Sequence, residues 1–347
     1  MKVYDCTRVD GQSVTNRSRM TYAKQDGQVK ALTFCQRSSS IACIADKANT
    51  ASIHVFRLDG TKSVLLHNKQ IDVDETGVAV DVTSFDQGSQ NVLVYATAHG
   101  YVIGWDLRSP AREVWRFKNH PRHGLVTCFD VHGDKSWMSV GTSHGSLHCW
   151  DLRFQVPVST VVHTTQRRVR RVLVHPFHQS TVIAATQSNN EVSFWDLETA
   201  SRQRTLWASN TPALSQTQMS THSVNGFHIG MTPSHSTFLL TAGSDMRIRY
   251  WDLDSPSKSQ ILVSGAADPL QYAVTVTYKS QLMEGTNVIT EAYGTVKPDG
   301  ERDGVPQKGH DVPPIGHHDI ITDVVIAKPQ QNLVITASRD GVVKVWN

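Results

Sequence analysis

The amino-acid sequence predicts an all-β fold built from repeated units of three or four short strands. Three observations carry this: a hairpin signal that recurs along the chain, a spacing between copies that fits one such unit, and no helical periodicity of useful length. The clearest hairpin is "TASRDGVVKVWN", residues 336 to 347. Its small-residue strand end (Thr336, Ala337, Ser338) leads into Asp340-Gly341, a pair that supplies the positive φ of a tight turn, and the returning strand alternates up to Trp346. A lone hairpin is not stable in water, so copies are expected.

Each copy places a turn-former six residues before an aromatic residue. "SDMRIRYWDL" sets Asp245 before Trp251, as Asp340 precedes Trp346; "SNNEVSFWDL" sets Asn189 before Trp195, "SHGSLHCWDL" His144 before Trp150, and "AHGYVIGWDL" His99 before Trp105. A degenerate copy ends on Phe56, its turn enlarged around Asn49. The steps are 49, 45, 45 and 56 residues from Phe56 through Trp105, Trp150 and Trp195 to Trp251, the period of four-stranded propeller blades. The other strands read in the same register. "DIITDVVIA", "NLVITAS" and "GVVKVWN" form the last unit, and "RRVLVHP", "STVIAAT" and "EVSFWDL" the unit opening near Arg168.

At this point the sequence resembles the WD-repeat β-propellers, through Gly316-His317 opening the last unit, Asp340 in its turn and the Trp-Asp or Trp-Asn ends. The resemblance implies a structural tetrad of His317, Ser338, Asp340 and Trp346 inside the last blade, with Trp105, Trp150, Trp195 and Trp251 as the other blade tryptophans. His99, His144 and Asn189 replace the aspartate elsewhere, so the tetrad is expected to be complete in one or two blades.

At the amino end "KVYDC" reads as a third strand, with Tyr4-Asp5 in place of Trp-Asp, and "SRMTYAK" as a fourth. Taking residues 1–28 as a partial first blade gives a seven-bladed propeller with the first blade incomplete and the chain truncated before it. The alternative is a six-bladed ring closed by the N-terminal strand near Met20 to Lys24. One propeller domain, 1–347, accounts for the whole chain. Residues 264–316 carry no Trp-Asp end and read as an insertion, with a hairpin from "YAVTVTY" and "TNVITEAY" and a mobile loop from Val296 to Pro314. Ser209 to Thr221 reads as a polar loop.

Composition narrows the function. A net charge of +3 is too small to argue for nucleic acid. No apolar run approaches the length of a transmembrane helix, and the start shows no signal peptide. Five cysteines (Cys6, Cys35, Cys43, Cys128, Cys149) form no CxxC pair and read as reduced, buried thiols. Without a secretory signal the sequon at Asn16 reads as chance. There is no Gly-rich phosphate loop, GxSxG elbow or metal-binding His/Glu arrangement, so no catalytic residue, cofactor or metal is assigned. His317-His318 reads as a blade histidine followed by a surface one.

One constellation remains. "TTQRRVRRVLVHP" packs Arg167, Arg168, Arg170 and Arg171 into a strand entry, where alternation sets Arg168 and Arg170 on one side and Arg167 on the other. Guanidinium groups suit bidentate carboxylate or phosphate partners. The cluster is either a solvated strand entry with local ion pairs or a patch for a protein partner or anionic lipid.

Beyond the general fold, "GQVKALTFCQ", "YATAHGYVIGWDLRS", "CWDLRFQVPVS", "NNEVSFWDLET", "RTLWAS", "LLTAGSDMRIRYWDL" and "GHHDIITDV…TASRDGVVKVW" resemble a narrower family. It comprises the C-terminal propellers of the regulatory, protein-kinase-like, vacuolar-protein-sorting subunit of class III phosphatidylinositol 3-kinase. The resemblance implies a non-catalytic scaffold, with a protein-kinase-like domain upstream in the full-length family member. Its implied partners are the lipid kinase catalytic subunit and Beclin-class coiled-coil subunits, with a Rab-family GTPase and anionic membrane as further contacts. The implied setting is cytoplasmic, peripheral to endosomal and autophagic membranes. The alternative is a phosphoinositide-binding propeller recruited to membranes, whose paired-arginine device "VRRV" resembles loosely, Val172 standing where those families have glycine.

Overall fold

Each repeat folds as an antiparallel meander, because short alternating runs joined by tight turns pair with their immediate neighbours. The computed structural model describes residues 2–4, 18–21, 28–35, 38–47, 50–59, 62–87, 90–109, 113–187, 190–208, 222–265, 274–295, 316–327 and 333–346. The chain forms two compact units, Met1–Val158 with Val162–Gln166, and Ser159–Val161 with Arg167–Asn347.

The first unit opens with β1 (Lys2–Tyr4) paired to β2 (Ser18–Thr21) as a separate two-stranded sheet. The first blade is β3 (Gln28–Cys35), β4 (Ser40–Lys47), β5 (Thr50–Asp59) and β6 (Lys62–Ile71). One helical turn, α1 (Val73–Thr76), leads to the second blade: β7 (Ala79–Gln87), β8 (Gln90–Thr97), β9 (Tyr101–Asp106) and β10 (Glu113–Lys118). The third is β11 (Val126–Val131), β12 (Trp137–Thr142), β13 (Ser146–Asp151) and β14 (Val156–Val162).

In the second unit the fourth blade is β15 (Val169–Val174), β16 (Thr181–Thr186), β17 (Glu191–Asp196) and β18 (Ser201–Trp207). The fifth is β19 (Val224–Met231), β20 (Thr237–Gly243), β21 (Ile248–Asp252) and β22 (Gln260–Val263). A hairpin of β23 (Val274–Met283) and β24 (Thr286–Thr295) turns on Glu284 and Gly285, both at positive φ. β24 pairs in parallel with β18, widening the fourth blade to six strands. The sixth blade is β25 (Ile321–Ala327), β26 (Leu333–Ser338) and β27 (Val343–Trp346).

The propeller therefore has six blades, which corrects the seven-blade expectation. The strand read as an incomplete first blade pairs only within the short β1–β2 ladder, because the inner strands a blade needs are missing from that stretch. The hairpin lies inside the expected insertion. The polar loop 209–221, the loop 296–314, Cys6 and Asn16 lie outside the described residues. Cys35, Cys43, Cys128 and Cys149 are buried and in no disulfide, and burial pushes the Cys149 thiol up to about 12.

The recurring residues have recurring causes. Five residues before each blade tryptophan stands a residue at positive φ: Gly100, Gly145, Asn190, Met246 and Gly341. Glycine and asparagine adopt this readily, whereas Met246 carries a strain of about 1 to 3 kcal/mol. The aspartate that follows four of the blade tryptophans caps the turn into the next strand. Asp106, Asp151, Asp196 and Asp252 accept from the N–H two residues on, at 3.0, 2.8, 3.0 and 3.0 Å. The first strand of every blade also shifts register at the same place, at Val29/Ala31, Ala79/Asp81, Val126/Cys128, Val169/Arg171, Val224/Gly226 and Ile321/Asp323. An extra residue there bends and twists the strand, which re-aims its side chains.

Hydrophobic cores form between successive blades. Ile44, Ile53 and Val55 meet Leu93, Ile103 and Trp105 between the first and second, and Phe117 and Val94 meet Phe129 and Met138 between the second and third. Phe194 and Leu206 meet Phe227 and Trp251 between the fourth and fifth, with Tyr278 and Ile289 of the hairpin filling the same core. Leu240 and Val263 meet Ile321 and Val324 between the fifth and sixth. Each blade thus buries a face that it could not bury alone.

Candidate functional site

The four arginines do not form one patch. Arg168 precedes β15 and is exposed, Val169 is buried, and Arg170, the extra residue of the register shift, is exposed again. Arg171 turns away to an ion pair with Asp323 of β25, its guanidinium lying over the Phe227 ring at 5.4 Å. Arg167 is half-buried. Burial and the neighbouring charge of Arg168 push the Arg170 guanidinium below its usual range. Neither Arg168 nor Arg170 has an ion-pair partner among the described residues. Two like charges on one strand entry, without a carboxylate, are best relieved by an anion from outside the chain.

The tetrad residues gather in the sixth blade around a hydroxyl that sequence reading missed. Thr336 accepts from Trp346 Nε1 at 2.9 Å and meets His317 Nε2 at 2.7 Å. A hydroxyl that accepts from the indole has its own proton to donate to Nε2. That leaves Nδ1–H facing Asp340 Oδ2, 3.8 Å away. Ser338 serves elsewhere, donating to the Asp319 carbonyl at 3.1 Å. Burial holds His317 below its usual range against the opposing pull of Asp340. Desolvation works against the Asp340 charge, but the carboxylate accepts from the Val342 N–H at 2.8 Å and the His318 N–H at 3.3 Å, and its pKa is lowered.

The other blade tryptophans sit in the same register but differ in partners. Trp251 donates to Thr241 at 2.9 Å, the counterpart of Thr336, ten residues upstream. Trp195 instead donates to Ser193 at 2.9 Å. Trp105 packs edge-on to His67, and Trp150 against Phe117. At the position ten upstream these three have Tyr95, Val140 and Ala185.

A second constellation also escaped the sequence. Arg249, 1% exposed, lies between Asp245 at 2.6 Å and Glu291 of the hairpin at 2.6 Å. Arg247 donates to the Tyr293 hydroxyl, which donates to Glu291, and Tyr278 donates to the same carboxylate at 3.3 Å. Burial opposes the Arg249 charge, but the two carboxylates hold its pKa well above the usual value. The pair of arginines two apart in "MRIRYW" was the available signal, but their partner lies 42 residues on from Arg249. This cluster is closed to ligands; it ties the hairpin to the fifth blade.

Among the described residues the chain is strands with one four-residue α-helix and two three-residue 3₁₀ helices, Pro121–His123 and Pro256–Lys258, and they contain no helical core of a kinase fold. No described helix is long and apolar enough to cross a membrane.

Comparison with known proteins agrees with this architecture. The family model described as Nucleolar protein 10-like, N-terminal domain, a β-propeller, matches residues 28–251, and the WD domain, G-beta repeat model matches 312–347. The probable serine/threonine-protein kinase vps15 of Dictyostelium discoideum is 34% identical over 206 residues, 56% of this chain and 10% of that protein. The serine/threonine-protein kinase VPS15 of Arabidopsis thaliana is 24% identical over 403 residues, 100% of this chain and 26% of that protein. The GATOR2 complex protein WDR24 of Gallus gallus is 27% identical over 176 residues, 50% of this chain and 23% of that protein. The chain thus spans about a tenth to a quarter of the length of these relatives. With the first model matching more than half of its length, the chain belongs to the Nucleolar protein 10-like, N-terminal domain family of β-propellers, as a WD40-type propeller distantly related to the VPS15 and WDR24 proteins.

Proposed function

We propose that this chain is a non-catalytic propeller recruited to membranes through a phosphoinositide headgroup held by Arg168 and Arg170. The observation that supports the reading is the exposed arginine pair at the β15 entry, without a carboxylate partner among the described residues, while Arg171 beside it is engaged by Asp323. Paired guanidinium groups match phosphate oxygens in geometry and charge. The test is flotation of the purified chain with vesicles that contain or lack phosphatidylinositol 3-phosphate. Arg168→Glu with Arg170→Glu should abolish the phosphoinositide-dependent fraction. Equal flotation of the variant would overturn the reading.

A WD40 propeller domain of this type serves as a scaffold or regulatory part of kinase-associated complexes, and a second reading follows from the likeness to the vps15 kinases. In it the chain scaffolds a class III phosphatidylinositol 3-kinase complex and docks coiled-coil subunits for autophagy and endosomal sorting. Pull-down of the catalytic and coiled-coil subunits by the tagged chain tests it. Retention of the subunits by the double arginine variant would separate docking from lipid binding, and no retention by the native chain would sink the scaffold reading.

A further inference from the structure

We infer that the end of the fourth blade where β15 begins is a membrane-docking edge, with Trp207 seated among the lipid headgroups alongside Arg168 and Arg170. The inference rests on the phosphoinositide reading and adds the residue that enters the bilayer surface.

Topology brings these side chains to one edge. β15 starts at Val169; β16 ends beside it, the Gln187 N–H donating to the Arg168 carbonyl at 2.9 Å; β17 starts at Glu191; and Trp207, opposite Glu191, is the last residue of β18. Three strand spacings separate β15 from β18, about 14 Å, wide enough to span more than one headgroup. Trp207 is 47% exposed, and it is the one tryptophan of eight that stands clear of the packed interior. Its backbone is fixed next door: the Ala208 N–H donates to the Asn190 carbonyl at 3.1 Å, and the buried Asn190 side chain donates to the Ala208 carbonyl at 2.9 Å.

The charges at this edge agree. Register runs from Trp207 through Thr290 to Lys279 on β23, so Lys279, which is exposed, shares the face of the indole. The nearby carboxylate, Glu191, is buried and held by Arg202 at 3.3 Å. Cations are drawn to an anionic leaflet, and an indole, apolar in body and polar at its N–H, favours the headgroup layer. The exposed Leu282 and Met283 at the hairpin tip belong to the opposite edge, because β24 runs parallel to β18 and begins near where β18 begins.

The experiment compares the native chain, Trp207→Ala, and Arg168→Glu with Arg170→Glu. Each is measured on phosphatidylcholine and phosphatidylserine vesicles with and without phosphatidylinositol 3-phosphate, and on the soluble inositol phosphate headgroup. Brominated phosphatidylcholine in the vesicles quenches tryptophans that enter the bilayer. Trp207→Ala is expected to bind vesicles about tenfold more weakly, to bind the soluble headgroup as the native chain does, and to lose the bromine quenching. Unchanged vesicle binding or unchanged quenching in Trp207→Ala would overturn the inference, while loss of binding in the arginine variant would keep the headgroup reading. A native chain that binds neither vesicles nor headgroup would overturn both.

Discussion

In the sixth blade Asp340 stands 3.8 Å from His317, beside a hydroxyl shared with Trp346; in the fifth blade Asp245, at the same spacing from Trp251, pairs with Arg249 at 2.6 Å. Both blades keep the indole-to-threonine bond at 2.9 Å. The fifth blade has His222 near its turn, but that ring is 3.5 Å from Ser244. The position opposite the threonine decides the difference. Arg249 faces Thr241 across the strands and reaches both Asp245 and the hairpin's Glu291, whereas Lys344 faces Thr336 and donates to the Gly316 carbonyl at 2.8 Å. Equal spacing fixes where the tryptophan goes, but not what the aspartate does.

The largest expected effect tests the buried cluster. Glu291→Ala leaves Arg249 buried with half its countercharge and is expected to cost about 3 to 5 kcal/mol in urea unfolding. Joint replacement of all three charges, by Asp245→Asn, Arg249→Met and Glu291→Leu, should recover most of that, since neutral residues of similar size avoid burying charge. A loss below about 1 kcal/mol in Glu291→Ala would mean that the cluster is not what joins hairpin to blade.

Removing the tryptophans probes the part the two blades share. Trp251→Ala and Trp346→Ala are each expected to cost about 3 to 5 kcal/mol as large core truncations. Trp251 should be the worse, being 1% exposed where Trp346 is half-buried. The reverse order in thermal unfolding would show that the tetrad bonds, and not burial, set the ranking.

Finer substitutions separate two neighbouring hydroxyls. Thr336→Val removes the partner of both Trp346 and His317 and should cost about 1 to 3 kcal/mol, while Ser338→Ala should cost about 1 kcal/mol or less. Equal costs would contradict the assignment of Thr336 as the bridging group.

The smallest effect is one of pH. His317 is held below its ordinary value in the folded state, so the unfolded chain takes up the proton first. Its neutral form contributes fully above about pH 6.5, and stability is lost as pH falls below that. His175 and His228, pushed down to about 4 by burial, act in the same direction between about 6.5 and 4. Asp340, also lowered, adds a loss only as the pH falls below about 4. The drop in melting temperature from pH 7.5 to 5.5 should therefore be smaller in His317→Gln than in the native chain. An equal drop in both would remove His317 from the account.

The reach of the sequence differs by element. The strands that carry the five blade tryptophans were legible, because a period-two pattern and a turn six residues ahead of an aromatic are local signals. The blade count was misread because a short alternating run at Lys2–Tyr4 looks like a blade strand whatever it pairs with. Ser338 was assigned as the tetrad hydroxyl through the WD-repeat resemblance, by its place in the repeat. The register of β26 against β27 instead sets Thr336 across from Lys344, within reach of the indole.

By itself the sequence determined that the chain is all-β, where its hairpins turn and which tryptophans end their strands. These follow from backbone preferences and side-chain alternation within a dozen residues. Only the tertiary structure decided that β24 joins β18, that Arg249 meets Glu291, and that Arg171 is engaged by Asp323 while Arg168 and Arg170 face outward. Those outcomes depend on which charges become neighbours after strands 40 to 150 residues apart are packed together, and a buried charge settles only where its partner arrives.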